Sequence, residues 1–226
     1  PPVREHRRVE LQLVSRSSAI RIGGWDQNPM RNMTFNNIVI TDSNRGVGIF
    51  LRQRGGIENL CFSNMVIQTR LHTGDWWGNG EPIHISAARV EKDVSLGQLR
   101  HIRFDGITCE SEAGIVLDGT PEGVLHDISF DHVQLKVKNS RLNDVAGGDF
   151  DLRPVAEPSQ NLFAHDIPGI YAAWVDGLTL SHVQVSWDRG MPAFYTHALE
   201  AEHSEGVRLD DFEGVGAHPG VSAVKR

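Results

Sequence analysis

Cysteine is nearly absent: Cys61 and Cys109 are the only two in 226 residues. A disulfide framework of the small secreted kind is therefore excluded. On the repeat set out below Cys61 points outward and Cys109 inward, so a bridge between them is not expected either. The histidines lack His-x-His spacing and the cysteines lack Cys-x-x-Cys spacing, so the sequence calls for no metal and no cofactor. No apolar run is long enough to span a membrane, and no signal-peptide pattern opens the chain. Basic excess is missing too. The balance of 22 Lys+Arg against 29 Asp+Glu leaves a formal net charge of −7, which argues against nucleic acid or an anionic membrane as partner. The chain starts at Pro1 rather than Met, and the expectation is that an upstream segment was removed or left out. Compartment is undecided, with secreted and cytoplasmic both open.

What the sequence has is repetition. NMTFNNIVI at 32–40 is echoed by NLCFSNMVI at 59–67, and GIFLR at 48–52 by PIHIS at 82–86. A unit this short cannot bury its own apolar face, so its recurrence implies stacking into a solenoid. The first strand of each unit alternates apolar and polar residues. It places Val9/Leu11, Met33/Phe35, Leu60/Phe62, Ile102/Phe104, Ile128/Phe130, Leu178/Leu180 and Val207/Leu209 on one face. Two residues beyond the second apolar position of the later units stand Asn37, Asn64, Gly106, His132, His182 and Asp211, residues that tolerate a left-handed backbone or bond to neighbouring backbone. His132 and His182 thus read as structural.

A second strand follows in each unit, with inward pairs Ile20/Ile22, Ile49/Leu51, Ile83/Ile85, Ile115/Leu117, Ile170/Ala172 and Leu199/Ala201. Strands stacked about 4.8 Å apart make parallel sheets around a narrow apolar core. The fold class is all-β, a right-handed parallel β-helix of roughly seven turns, with residues 1–226 as one domain. Several steps of the polar ladder are about 27 residues. The longer steps place insertions at about 68–81, 87–97 and 138–167. Such loops on a tight solenoid are commonly functional, and here they should overhang the outer face of the second strand.

That outer face reads as two columns. One is Arg21, Phe50, His84, Val116, Tyr171 and Glu200; the other is Gly23, Arg52, Ser86, Asp118, Ala173 and Glu202. Trp76, Trp77 and the DFDLRP stretch (Asp149 to Pro154) stand beside them. Indole faces flanked by carboxylates and guanidinium forks suit a sugar, which offers apolar C–H faces and many hydroxyls. A saccharide groove is expected, set against a merely solvated face. Arg21, Arg52, His84, Tyr171, Trp76, Trp77 and Arg153 are the candidate binding residues. Trp25, Trp174 and Trp187 read as packing.

The blocks SSAIRIGG, ITDSNRGVGIFLRQRGGIENLCFSNMVI and TGDWWGNGEPIHIS, with GGDFDLRP and HALEAE later, resemble bacterial members of the polygalacturonase family of glycoside hydrolases. The resemblance implies a pectin-lyase-like β-helix that hydrolyses a glycosidic bond, in pectin or a related plant polysaccharide. It also implies catalytic aspartates in an Asn-Thr-Asp-Gly block and a paired-Asp block upstream of a Gly-His-Gly turn. Ser17-Ser18-Ala19 stands where that turn would be, and neither aspartate block precedes it. The family's Arg-Ile-Lys strand matches Phe50-Leu51-Arg52, so only its last basic position survives, as Arg52.

Glycoside hydrolysis needs two carboxyl groups, about 5–5.5 Å apart for retention or about 6.5–9.5 Å for inversion. Asp118 and Glu200 are expected on one face two turns apart, roughly 9–10 Å by strand spacing, with Asp151 and Glu81 in reserve. The rival expectation is a non-catalytic carbohydrate-binding β-helix, a truncated relative that binds sugar without turnover. A calcium-dependent lyase is disfavoured because the acidic residues are too dispersed for a cation cluster. The short lead PPVREHRR has no amphipathic helix to cap the first turn, so a homo-oligomer is expected in which that turn or the 138–167 loop meets another copy. The alternative is a monomer whose lead folds back.

Overall fold

The computed structural model describes residues 11–226; Val9 and the PPVREHRR lead lie outside them. The strands are β1 (Leu11–Leu13), β2 (Ser18–Gly24), β3 (Met30–Ser43), β4 (Arg45–Leu51), β5 (Ile57–Thr69), β6 (Ile83–Ala87), β7 (Leu99–Ser111) and β8 (Ile115–Asp118). There follow β9 (Leu125–Val137), β10 (Asp149–Asp151), β11 (Leu162–Ala164), β12 (Ile170–Ala173), β13 (Val175–Trp187), β14 (Leu199–Glu202), β15 (Arg208–Gly214) and β16 (Val224–Lys225). One seven-stranded sheet runs β1-β3-β5-β7-β9-β13-β15, and a second runs β2-β4-β6-β8-β12-β14-β16. The pairings within both are parallel. The chain is therefore nearly all β, with the strand order that a stacked parallel repeat produces. No helix among the described residues is long and apolar enough to cross a membrane.

Both sheets line one apolar core. In β5 the buried apolar residues are Ile57, Leu60, Phe62, Met65 and Ile67. They step by two within a straight segment and by three across Asn59 and Asn64, whose φ values are 58° and 51°. A left-handed residue resets the alternation and bends the strand, so a 13-residue strand turns its inner face toward the core three times. The ladder expected at Asn37, Asn64, Gly106, His132, His182 and Asp211 has positive φ at every position. A second ladder, unforeseen, runs Asn32, Asn59, His101, Asp127, Gly177 and Gly206. Amides link the early turns: Asn59 donates to Asn32 at 3.2 Å, and Asn64 donates to Asn37, each partner 27 residues away.

Inside, Phe35, Phe62, Phe104 and Phe130 form one stack with centroids 4.8, 4.7 and 5.0 Å apart and planes within 9° of parallel. Leu180 and Leu209 continue that row by register. Leu11 departs from expectation. It pairs with Ile38 rather than Phe35, and at the end of the sheet it is 49% exposed. Cys109 is buried and Cys61 is not, both as free thiols, and burial pushes the Cys109 thiol up to about 12.

Replacing Phe104 with alanine should cost about 3–5 kcal/mol, since the stack cannot close the gap. Asn64→Ala should cost about 1–2 kcal/mol for a left-handed alanine, whereas Asn64→Gly should be nearly neutral. Denaturant melts check both; equal stability of Asn64→Ala and Asn64→Gly would count against the ladder as a backbone constraint.

Candidate functional site

Strand register builds the outer face of the second sheet. It runs Arg21, Gly48, His84, Val116, Tyr171 and Glu200 in one column, and Gly23, Phe50, Ser86, Asp118, Ala173 and Glu202 in the next. The expected columns placed Phe50 beside His84 and Arg52 beside Ser86, two residues out of register on β4. A slip of two keeps every residue on its face, which is why alternation alone did not expose it. Gly48 explains the true register: a Cβ there would lie 2.6 Å from Phe50 Cε2, so the Phe50 ring occupies the space a side chain would need.

The insertions do overhang this face, and they cover part of it. β10 and β11 pair antiparallel within 138–167, and a short helix α1 (Asn143–Ala146) precedes them. Arg45 donates from Nη2 to the Asp151 carbonyl at 2.8 Å and to Glu81 Oε1 at 2.9 Å. Glu81 Oε1 also accepts from His84 Nδ1 at 3.1 Å, and Oε2 accepts from the Asn79 amide at 2.6 Å. Arg52 spends five hydrogen bonds on the carbonyls of Pro154, Leu51, Ser86 and Leu152 and on Ser86 Oγ, at 2.9–3.3 Å. Three guanidinium groups, those of Arg21, Arg45 and Arg52, lie 5.2–5.4 Å from the Phe50 ring.

The expected binding residues His84 and Arg52 and the reserve carboxylates Glu81 and Asp151 are all buried. Asp151 accepts from the Gly78 amide at 2.5 Å and from Arg153 Nε at 2.8 Å. Arg153 in turn holds Asp75 at 2.5 Å and the Trp76 carbonyl at 2.9 Å. Burial opposes ionisation of Glu81, yet Arg45 and His84 hold its carboxyl far below the usual range. Burial, and then Arg45, pushes His84 down to about 4, so the imidazole is neutral at pH 7. Burial likewise pulls Arg52 down to about 9 against the attraction of Asp118. Trp77 and Trp76 lie beside this cluster under Arg21 and Arg16, at 5.2 and 5.5 Å, and Arg21 and Trp76 are exposed.

The upper turns carry a second group. Asp118 is half-buried, and burial raises its carboxyl to about 7 with Arg52 pulling the other way. Tyr171 is held protonated by burial and by Asp118, Glu202 and Glu200 around it; the insertion's Phe150 packs on its ring at 4.8 Å. Glu200 is buried and accepts from Lys225 Nζ at 2.5 Å, which stands 3.7 Å from Glu202. Glu202, passed over in the sequence, shares a column with Asp118 two strands away. Beyond the ends of β6 and β8 opens a cleft of about 530 Å³ lined by Ala88, Arg89, Lys92, Thr120 and Glu157. Arg45 was also missed, because its partner Asp151 lies 106 residues away.

The class these features define is a parallel-sheet repeat protein with a carboxyl-rich outer face half roofed by its own insertion. Comparison with protein-family models, curated proteins and solved structures found no match.

Arg45→Met should cost about 3–5 kcal/mol, because Glu81 is left charged and buried without its cation; thermal melts at pH 7 check it, and a loss under about 1 kcal/mol would deny the network its structural role. The raised Asp118 carboxyl sets a pH dependence. The folded state holds a proton there that the unfolded state has released above pH 4, so its contribution is present at low pH and fades as pH rises through about 7. Melts from pH 4 to 9 should therefore show Asp118→Asn gaining on the wild type as pH rises from about 4 to about 7 and holding that gain at higher pH.

Proposed function

We propose that this protein is a glycoside hydrolase acting on a plant-polysaccharide-derived saccharide, pectic or related, with Asp118 and Glu202 as its acid and base. The single observation that carries the reading is their shared outward column, two strands apart. At about 4.8 Å per strand their backbones are some 9.6 Å apart, close to the range of about 6.5–9.5 Å that separates the two carboxyl groups for inversion. Asp118, its carboxyl raised by burial to about 7, delivers its proton to the leaving glycosidic oxygen. Glu202 takes a proton from the water that attacks the opposite face of the sugar. Glu200, bonded to Lys225, positions that residue next to Glu202. The cleft at Arg89 and Lys92 receives the chain of sugars, and the exposed Trp76 offers a further stacking face. In this reading the two facing sheets wind as a right-handed parallel β-helix of about seven turns. Self-association through the β1 end, where Leu11 and Val14 are exposed, belongs to the same proposal.

A second reading is a carbohydrate-binding β-helix without turnover. It is favoured by the commitment of Glu81, Asp151, Arg52 and His84 to holding the insertion in place. Chromogenic glycosides and pectic oligosaccharides, assayed for hydrolysis and by calorimetry for binding, separate the two. Hydrolysis that falls by about 10²–10⁴-fold in Asp118→Asn and in Glu202→Gln, with binding kept, is the expected result. Binding without hydrolysis by the wild type selects the second reading, and full activity in both variants removes this pair.

A further inference from the structure

Midway along the first sheet the left-handed ladder changes chemistry. Asn37 and Asn64 are followed, past Gly106, by His132 and His182 on the adjacent strands β9 and β13. Their rings stack with centroids 4.5 Å apart and planes 15° from parallel. Each Nδ1 turns to the same oxygen, Asp131 Oδ1, at 2.9 Å from His132 and 3.1 Å from His182. The backbone at both histidines is fixed in the left-handed region, with φ of 51° and 50°, so the turn itself aims both rings.

We propose that Asp131, His132 and His182 form a binding site for a divalent transition-metal ion of the zinc type, bridging two consecutive turns at a corner of the first sheet. Their ligand atoms lie within 4.8 Å of one another. Imidazole nitrogen and carboxylate oxygen both bind zinc at about 2.0–2.2 Å in a tetrahedron, which sets neighbouring ligands about 3.3–3.6 Å apart, so the nitrogens need move only slightly from the 2.9 and 3.1 Å that separate them from Oδ1. Binding displaces the Nδ1 protons, so it strengthens as pH rises. Both rings are exposed, which gives an ion entry and leaves its remaining positions to water. Arg103 stands 3.9 Å from the other oxygen of Asp131 but is engaged with Asp105 at 3.1 Å. On the adjacent strand β15 Asp210 pairs in register with Ser181, next to His182. The other histidine–aspartate contacts, His101–Asp127 and His126–Asp176, bring one imidazole each. Sequence spacing concealed the pair because a whole insertion separates His132 from His182. The site is independent of the saccharide reading.

The test is calorimetric titration of the metal-free full chain with zinc chloride at pH 7.5, beside the His132→Asn/His182→Asn double variant. Asparagine occupies this ladder at Asn37 and Asn64, so the substitution suits the backbone. The expected result is one ion per chain, with affinity reduced more than about a hundredfold in the double variant, since even outer-shell partners are worth about 10–100-fold. Saturating zinc should raise the wild-type melting temperature by roughly 3 °C or more, reversibly with chelator, and leave the double variant unmoved. Should the double variant fail to fold, Asp131→Asn serves in its place. Absence of stoichiometric binding, or equal binding by wild type and variant, overturns the proposal.

Discussion

The outer face of the second sheet depends on Arg45. Its guanidinium is fully buried and joins three separate stretches: its own strand β4, the loop before β6 through Glu81, and the insertion through the Asp151 carbonyl. Charges taken out of water are expensive, and their attraction offsets that cost only when nearly every donor and acceptor is matched. Glu81 meets the condition with Arg45, His84 and the Asn79 amide, and Arg52 meets it with five acceptors. An insertion that moved away would strand several charged groups at once. The seating of the loop is therefore close to all-or-none.

That seating presupposes turns stacked in constant register. The two left-handed ladders bend each long strand at the same two places, and the phenylalanine stack fills the space this creates at intervals of 4.7–5.0 Å. Backbone conformation and core packing support the same geometry, so each turn delivers one residue to each outer column. A column is then a ruler: the separation of Asp118 from Glu202 follows from the number of turns between them.

Covering half the face divides it electrostatically. Under the insertion, burial together with a concentration of guanidinium charge keeps His84 neutral, which suits a rigid anchor. On the upper turns burial is incomplete and cations are fewer, and the same desolvation raises the Asp118 carboxyl into the neutral range. One physical effect thus keeps a histidine neutral on one strand and raises a carboxyl on the next.

Much of the fold was legible in the sequence because its determinants are local. Side chains alternate with period two along a strand, so inward pairs such as Ile83/Ile85 and Ile115/Leu117 could be read directly, as could the ladder at Asn37 and Asn64, where short polar side chains tolerate positive φ. The ladder at Asn59 was missed because each member stands just ahead of the alternating segment, Leu60/Phe62 and its counterparts, from which the strand was read. The candidate site was legible as a set of residues but not as an arrangement. Alternation is blind to a slip of two, so it could not tell Phe50 from Arg52 as the neighbour of Ser86. Nor could it see that Arg45 would meet a carbonyl 106 residues away, leaving His84 and Arg52 beneath a loop rather than in a groove. The sequence by itself determined which residues face outward; only the tertiary structure decided which of them meet water, because burial of an outward face depends on where a distant segment comes to rest.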